Sequence, residues 1–257
     1  MNDTRQFKAA TQPGDYPVLI LAAGFGKRLG ELTKNKPKPL VEVGGKPLID
    51  WTLEALRTAG FKRVFVNLHY LADQLREYLN RKWSDQFYLT LVEEPVILDT
   101  GGAIKNIEAM LNPADHLFTV NADTLFGRDF SFFSLLIEHL AHPRKPYATL
   151  AVRSDAEALR YGELGIDTER LVSHFVGRDY GSSSVQRGLI YMGIQVISPK
   201  LFRELPEAGT IFSITRDTYA ALLSEGKPLA TFEYSGFWSD VGTPERLAAA
   251  EASWKAS

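Results

Sequence analysis

Cysteine is absent from the 257 residues of the chain. Its absence excludes a disulfide framework, a thiolate nucleophile and any zinc site that needs sulfur ligands. Long apolar runs are also missing: the run over residues 18–23 is far shorter than the roughly twenty residues of a membrane span. Residues 1–15 are polar and lack the apolar core of a signal peptide. We therefore expect a cytoplasmic protein with no membrane partner.

The chain also lacks an excess of charge of either sign. Its 29 basic and 31 acidic side chains give a net charge of −2, which offers no general electrostatic reason to bind nucleic acid. With 45% apolar and 23% charged residues, the composition is that of an ordinary globular protein. His139 and His142 lie three apart on a predicted helix with no third metal ligand near, so we expect structural or surface roles for them.

Short apolar runs alternate with helical patterns over the first part of the chain. Residues 18–23, 63–68 and 116–120 are typical of strands buried on both faces, with amphipathic helices between them. This alternation implies βαβ crossovers, whereas beyond residue 160 short strands follow one another with fewer helices. The sequence therefore predicts an α/β fold: a Rossmann-like three-layer α/β/α arrangement with a mostly parallel mixed sheet and a small antiparallel lobe.

A glycine-rich, basic loop follows the first predicted strand. Between Gly24 and Lys46 six basic residues stand against two acidic ones, in a chain whose net charge is negative. Small residues let backbone N–H groups approach an anion closely, and Lys27 and Arg28 add positive charge. The loop is therefore a candidate phosphate site, although a solvent-exposed run of lysines is the simpler explanation of the charge alone.

The two common phosphate-loop motifs do not fit this loop. A dinucleotide fingerprint needs Gly-x-Gly-x-x-Gly, but Leu29 stands at the third glycine and Gly30 comes one position late. A P-loop needs its first glycine where Leu21 stands, and a Ser or Thr where Arg28 stands. Neither hydride transfer nor a P-loop nucleotidase is supported.

The loop does match another signature. Residues 21–29, Leu-Ala-Ala-Gly-Phe-Gly-Lys-Arg-Leu, followed by Lys-Pro-Lys-Pro-Leu at 36–40, resemble the two-part signature of the sugar-1-phosphate nucleotidylyltransferases. The resemblance implies that Arg28 grips the phosphates of a nucleoside triphosphate and that Lys38 contacts the reacting phosphate. It also implies nucleotide contacts from Leu21, Ala22, Ala23, Gly24, Gly26 and Lys27. Two prolines flank Lys38 and restrict its backbone, which suits a cation that must be held in place.

Two aspartates complete the predicted catalytic centre. Asp123 follows a buried strand near the phosphate loop, where a carboxylate would repel phosphate unless it holds a cation such as Mg²⁺. An aspartate at a strand end is more often only a turn or cap residue. The resemblance favours the metal, since Asp123 and Asp240, the latter in Trp-Ser-Asp-Val-Gly-Thr, match the family's metal aspartates. Thr243 is expected to cap the terminal helix.

The base and sugar contacts rest on the resemblance alone. It implies that Glu94, Thr100, Gly101 and Gly102 line the base pocket, with Asp99 where the family usually has glycine. For the sugar it implies Asn121, Gly162, Glu163 and Gly193. The family's usual Glu-Lys-Pro is replaced here by Val-Gly-Arg, so Arg178 is the candidate for the missing lysine.

Composition and pattern, with no linker or repeat along the chain, also predict its domain organisation. We expect a flexible extension at residues 1–15 and one nucleotidyltransferase domain at 16–257. Within the domain we expect a nucleotide-binding lobe at about 16–152, a sugar-binding lobe at about 153–235 and a metal-aspartate segment with a helix at 236–257. The protein is expected to be a monomer or a homodimer.

The expected reaction couples a sugar 1-phosphate with a nucleoside triphosphate, with Mg²⁺ as cofactor. UTP with N-acetylmuramate 1-phosphate or a similar hexose 1-phosphate is the first choice, and GTP with mannose or heptose 1-phosphate is the alternative. A catalytically silent nucleotide-sugar-binding regulator is the alternative of another class. A cytidylyltransferase, or a glycosyltransferase with an Asp-x-Asp motif, fits less well because Asn121 stands two residues before Asp123.

Overall fold

The computed structural model describes residues 11–156, 158–181 and 183–256. Its strands are β1 (Val18–Leu21), β2 (Glu42–Val43), β3 (Lys46–Pro47), β4 (Arg63–Leu68), β5 (Tyr88–Glu93), β6 (Leu117–Asn121), β7 (Thr124–Phe126), β8 (Ala148–Ser154), β9 (Leu164–Ile166), β10 (Val172–Phe175), β11 (Arg178–Asp179), β12 (Gln186–Ile197), β13 (Leu229–Glu233) and β14 (Trp238–Asp240). Its α-helices are α1 (Leu48–Thr58), α2 (Ala72–Trp83), α3 (Asp99–Asn106), α4 (Phe132–Ala141), α5 (Ala158–Tyr161), α6 (Ala220–Ser224) and α7 (Pro244–Ala256).

The first half of the chain forms the predicted parallel sheet. β1 lies between β4 and β6 and runs parallel to both, and β4 in turn pairs with β5. Val18, Leu19 and Ile20 are fully buried, as expected for a central strand covered on both faces. The carboxyl ends of β1, β4 and β6 therefore lie side by side at one edge of the sheet.

Beyond β6 the sheet becomes mixed. β12 runs antiparallel to β6, β8 and β9, and gives the strand order β11-β10-β9-β12-β6-β1-β4-β5, with β8 and β13 attached on the other side of β12. β8 and β13 are parallel to each other. The antiparallel strands β9, β10 and β11 thus continue the main sheet, as the change of pattern after residue 160 predicts.

Alternate residues of β1 point into two different apolar cores. Val18 and Ile20 pack with side chains of α1, α2 and α4 on one face of the sheet. Leu19 packs with side chains of α3 and α6 on the other face. Because side chains alternate along a strand, both faces of the sheet are covered by helices. The three-layer α/β/α arrangement is confirmed.

Three segments differ from the helices that their sequence patterns predict. The pattern over residues 101–111 predicts a helix, but the helix begins earlier, at Asp99, and a separate 3-10 turn follows at Glu108–Met110. The pattern over residues 199–205 also predicts a helix, but the segment is a 3-10 turn, Pro199–Glu204. The helix predicted over residues 215–224 starts as a π turn, Ile214–Tyr219, whose cap residue Ser213 accepts a hydrogen bond from the Arg216 amide.

Only part of the expected N-terminal extension belongs to the described residues. Residues 1–10 lie outside them. Pro13–Asp15 forms a 3-10 turn, and Pro13 is buried. A β-carbon on Gly14 would come within 2.2 Å of the Gly60 carbonyl oxygen, so this turn packs directly against the loop that follows α1.

His139 on α4 and His142, which follows the end of α4, both have structural contacts, in keeping with the roles predicted for them. His139 is 3% exposed and its ring nitrogens meet His116 Nδ1 at 2.9 Å and Thr149 Oγ1 at 2.8 Å. Burial, followed by the nearby His116 ring, lowers the pKa of His139 to about 3. His142 accepts a hydrogen bond from the Arg144 amide. The described residues contain no cluster of three metal-ligating side chains.

The buried His139 makes stability depend on pH. Between pH 6.5 and pH 3 the unfolded chain binds a proton that the folded chain excludes, so stability falls as pH falls through this range. We expect wild type to lose about 2 kcal/mol more than His139→Gln between pH 7 and pH 5. Urea unfolding of both proteins at the two pH values measures this difference. Equal losses in the two proteins would contradict it.

Candidate functional site

A cleft of about 440 Å³ opens at the carboxyl ends of β1, β4 and β6. Open α/β sheets bind ligands at this edge. The lining side chains come from each of these strand ends and from the segments after β5 and around residue 211: Leu21, Ala22, Ala23, Gly24, Lys38, Pro39, Asn67, Glu94, Ile97, Asp99, Thr100, Asn121, Ala122, Asp123 and Ile211. Nine predicted site residues are among them, from both the phosphate loop and the acidic end.

The glycine-rich loop has a fixed shape over Lys38. Gly26 has a φ of 65°, which favours glycine, and a β-carbon there would lie 3.0 Å from Lys38 Cβ. Thr33 Oγ1 donates to the Gly26 carbonyl at 2.9 Å, and Tyr70 Oη donates to the Lys34 carbonyl at 2.9 Å. The sequence does not predict either of these hydrogen bonds. No local pattern marks Tyr70, because its contact with the loop is made across the fold.

Lys38 connects the loop to the acidic end of the cleft. Its side chain is 11% exposed, and Nζ lies 2.5 Å from Asp123 Oδ2. A 3-10 turn over Lys38–Leu40 fixes the backbone, with prolines on both sides of Lys38. The predicted cation is therefore held against the predicted metal ligand.

Backbone pairing brings Asp123 and Asp240 together. β14 pairs antiparallel with β7, which places Asp240 opposite Thr124, and the Val241 amide donates to the Asp123 carbonyl at 2.9 Å. The sequence predicts both aspartates but neither of these two three-residue strands. They are too short to show a periodic pattern.

Asp240 lies in a mixed environment of charges. Arg246 Nη1, on α7, donates to Asp240 Oδ2, whereas Oδ1 is buried and has no hydrogen-bond partner among the described residues. Burial, and then the charge of Asp123, raise the pKa of Asp240. A β-carbon on Gly242 would lie 2.9 Å from Asp240 Oδ1 and 3.0 Å from Arg28 Nη2. Arg28 therefore reaches the same place, and the four predicted side chains of the catalytic centre converge.

The pair of aspartates suits a hard divalent cation. Mg²⁺ binds through one or two carboxylates and completes its shell with water and phosphate oxygens. A buried carboxylate oxygen without a donor, such as Asp240 Oδ1, needs a positive partner. Asp123 and Asp240 could therefore hold Mg²⁺ at the mouth of the cleft.

Glu94 ties the floor of the cleft together. Its carboxylate accepts from Asn67 Nδ2 at 2.8 Å and from the Leu98 amide at 3.0 Å. Asn67 Oδ1 accepts from the Ala22 amide at 2.6 Å. Glu94 lines the cleft as predicted, but both of its oxygens already have protein donors. Asn67, which the sequence analysis missed, holds the ends of β1 and β5 together.

The amides of Gly101 and Gly102, which are predicted to contact the base, have a partner within the protein, and their contact with a base stays a prediction. Both amides donate to the Phe212 carbonyl, and neither glycine lines the cleft. A β-carbon on Gly101 would come within 2.2 Å of the Phe212 ring. Thr100 does line the cleft, but its hydroxyl accepts from the Ile214 amide at 3.0 Å. These residues hold the segment that carries Ile211 over the cleft.

Asp99 adopts the backbone conformation that a glycine would favour. Its φ is 59°, and its carboxylate accepts from Arg216 Nη2 at 2.9 Å. The same carboxylate accepts from the Thr100 amide, and Asp is one of the few side chains that tolerate this region. This contact explains how an aspartate can replace the family's glycine.

The predicted sugar residues are only partly brought together. Asn121 lines the cleft, and a β-carbon on Gly193 would lie 2.6 Å from Asn121 Nδ2. Gly162 and Glu163 precede β9 outside the cleft lining, and Glu163 Oε1 accepts from the Gly188 amide at 2.9 Å. Arg178 is exposed on the edge strand β11. Strand β9 pairs with the same edge of β12 as β6 does, because Leu189 and Gln195 each pair with β8 on the opposite edge. Gly162 and Glu163 therefore lie on the side of β12 that also carries Asn121, and their contacts with a sugar, like that of Arg178, stay predictions.

The approach of Gly193 to Asn121 depends on a bulge in β12. Pairing with β8 shifts register between Tyr191 and Gln195. The Met192 carbonyl accepts from Trp238 Nε1 at 3.0 Å and from Thr124 Oγ1 at 3.2 Å. The small β7–β14 sheet thus fixes this wall of the cleft as well as the two aspartates.

None of the helices in the described ranges is both long and apolar enough to span a bilayer.

A glycine-rich loop over a buried lysine, opposite two carboxylates at the carboxyl edge of a parallel sheet, is the arrangement of a ligand site in an α/β protein. The family model "Nucleotidyl transferase" matches residues 17–257. The chain belongs to the nucleotidyl transferase family.

Relatives with two different activities are similar to this chain. A mannose-1-phosphate guanyltransferase of Kluyveromyces lactis is 32% identical over 232 residues, which cover 88% of this chain and 61% of that protein. An N-acetylmuramate alpha-1-phosphate uridylyltransferase of Caulobacter vibrioides is 29% identical over 241 residues, 91% of this chain and 95% of that protein. The chain thus spans about three fifths of the guanyltransferase and nearly all of the uridylyltransferase.

A solved structure agrees with the fold. HddC from Yersinia pseudotuberculosis, in a complex with GMP-PN, superposes with a TM-score of 0.76 at 26% identity. The match covers 93% of this chain and 99% of that one.

The packing of Gly101 can be tested directly. Gly101→Ala places a methyl group against the Phe212 ring, and we expect it to lower the free energy of unfolding by about 1–3 kcal/mol. Gly24→Ala is the matched control, because a β-carbon there meets no atom within 4 Å. Urea unfolding of both variants checks the difference. A Gly101→Ala protein as stable as wild type would show that segment 210–214 is not packed as described.

Proposed function

We propose that the chain transfers a nucleotidyl group from a nucleoside triphosphate to a sugar 1-phosphate and releases pyrophosphate, with Mg²⁺ as cofactor. One observation carries the proposal: Arg28, Lys38, Asp123 and Asp240 converge at the mouth of a cleft formed by the ends of β1 and β6. Family membership supports the same reaction class.

The reaction needs little acid–base chemistry from the protein. An oxygen of the sugar phosphate attacks the α-phosphorus in line, a new P–O bond forms, and the bond to the bridging oxygen of pyrophosphate breaks. The nucleophile is already an anion, so positioning and charge neutralisation provide the catalysis. The amides of the glycine-rich loop and Arg28 orient the β- and γ-phosphates.

Lys38 offsets negative charge that develops at the α-phosphate. Its buried stem places the ammonium near the end of β6, where Asn121 and the Gly193 wall would receive the sugar. Asp123 and Asp240 would hold Mg²⁺, which supplies Lewis-acid polarisation of phosphate oxygens when bound.

The nucleotide and sugar are chosen from the relatives. UTP with N-acetylmuramate 1-phosphate is the first candidate, because the uridylyltransferase of Caulobacter vibrioides matches over 95% of its length. GTP with mannose or heptose 1-phosphate is the second candidate, supported by the guanyltransferase relatives and by the GMP-PN complex of HddC. We also propose that the protein is cytoplasmic and acts as a monomer or a homodimer.

A matrix of substrates tests the function. UTP, GTP, CTP and dTTP are each combined with N-acetylmuramate, mannose, glucose and heptose 1-phosphates, and Mg²⁺-dependent pyrophosphate release is measured. Turnover with UTP and N-acetylmuramate 1-phosphate above all other pairs is expected. Nucleotide binding without pyrophosphate release from any pair would favour a silent regulatory protein.

The catalytic residues can be tested in the same assay. Lys38→Ala and Asp123→Ala are each expected to lower kcat at least tenfold, because each removes a charge that faces the phosphates or the cation. Lys36→Ala, an exposed lysine two residues from Lys38, is the control and should remain near wild type. Circular dichroism checks that all three proteins are folded. Near-normal pyrophosphate release by either catalytic variant would count against the proposed function.

A further inference from the structure

In each aspartate of the site, one carboxylate oxygen already accepts a hydrogen bond from a cationic side chain of the protein. Arg246 on α7 donates to Asp240 Oδ2, and Lys38 donates to Asp123 Oδ2 at 2.5 Å. Oδ2 of Asp123 is thus occupied by an ammonium group, whereas Oδ1 of Asp240 has no donor among the described residues. A divalent cation that uses Asp123 must therefore compete with Lys38 or share the carboxylate with it.

The charges of the cluster oppose a lone divalent cation. Arg28, Lys38 and Arg246 are three cations around the two carboxylates and already offset their negative charge. A bare divalent ion would add positive charge here and leave the displaced ammonium of Lys38 without the anion that it now contacts. In a partly buried site, where charges interact more strongly than in water, such an arrangement is disfavoured.

A nucleotide removes both difficulties. Its phosphates bring negative charge, and they would bind over the glycine-rich loop, directly above Lys38: Gly26 would place a β-carbon 3.0 Å from Lys38 Cβ. The stem of Lys38 thus begins beneath the phosphate loop and ends at Asp123. A rotation of that stem about its own bonds can carry the ammonium from one anion to the other without a change in the backbone.

We propose that Lys38 and a divalent cation are alternative partners of Asp123, and that Lys38 leaves this carboxylate only when nucleotide phosphates accept its N–H groups. The inference rests on the proposed function. It adds that the divalent cation binds at Asp123 only together with the nucleotide. Lys38 then has two successive roles: it neutralises Asp123 before the nucleotide binds, and it contacts phosphate afterwards.

Binding of Mn²⁺, measured from the electron paramagnetic resonance signal of the free ion, tests the exchange without turnover. Wild type should bind Mn²⁺ alone at least tenfold more weakly than Mn²⁺ with a non-hydrolysable UTP or GTP analogue. Lys38→Met, which removes the competing ammonium, should strengthen binding of Mn²⁺ alone at least fivefold. It should also reduce the coupling between Mn²⁺ and nucleotide.

Lys36→Met is the matched control, since it makes the same change in charge on an exposed residue of the same segment. It should leave Mn²⁺ binding within twofold of wild type. If Lys36→Met and Lys38→Met increase the affinity for Mn²⁺ equally, the increase comes from the loss of one positive charge at any position, and the proposal is overturned. Unchanged Mn²⁺ affinity in a folded Lys38→Met protein would overturn it as well.

Two further measurements separate this inference from the proposed function. Asp123→Asn should lose at least tenfold in Mn²⁺ affinity in the presence of nucleotide, and if it does not, the metal site itself is wrongly assigned. If Lys38→Met does not fold, Lys38→Gln replaces it. Wild type that binds Mn²⁺ alone as tightly as with nucleotide excludes the exchange even if the enzyme is active.

Discussion

The hydrogen bond from the Val241 amide to the Asp123 carbonyl, with the pairing of β7 and β14 around it, is the constraint on which the site depends. It joins two parts of the chain more than a hundred residues apart and sets two carboxylates side by side. Thr124 and Trp238 of the same small sheet also hold the Met192 carbonyl, which fixes the β12 bulge beside Asn121. The small β7–β14 sheet thus positions both Asp123 and Asp240 and one wall of the cleft.

Two neighbouring carboxylates are costly unless cations accompany them. The pKa of Asp240 is raised by burial and by Asp123, and Arg246, Lys38 and Arg28 oppose that rise. Each of these cations comes from a different element: the glycine-rich loop, the Lys38 turn and α7. The electrostatic balance of the site therefore links the first and last segments of the domain, which an apolar cluster that includes Leu29, Val41, Val241 and Ala250 also joins.

The sequence predicts those elements and site residues that are determined by neighbouring residues along the chain. Buried parallel strands are continuous apolar runs, and the phosphate loop, Lys38 and both aspartates follow from motif and resemblance. The resemblance could not predict that Gly101 and Gly102 serve the packing of Phe212, because that contact comes from a segment more than a hundred residues away. Asn67, Tyr70 and Arg246 were missed for the same reason: each is an ordinary polar residue until the fold places its partner beside it.

The two sides of the cleft are built differently. Side chains at the ends of β1, β4 and β6 are positioned by three adjacent buried strands, so their motifs can be recognised from the sequence. The antiparallel strands β9 to β11 end in an exposed edge that carries Arg178, and Glu163, just before β9, lies 3.8 Å from Arg187. Substitutions at exposed positions usually cost little stability, whereas substitutions in a buried central strand are costly. If the proposed function holds, sugar selectivity can therefore vary on these strands while the chemistry at Lys38 and the aspartates stays the same.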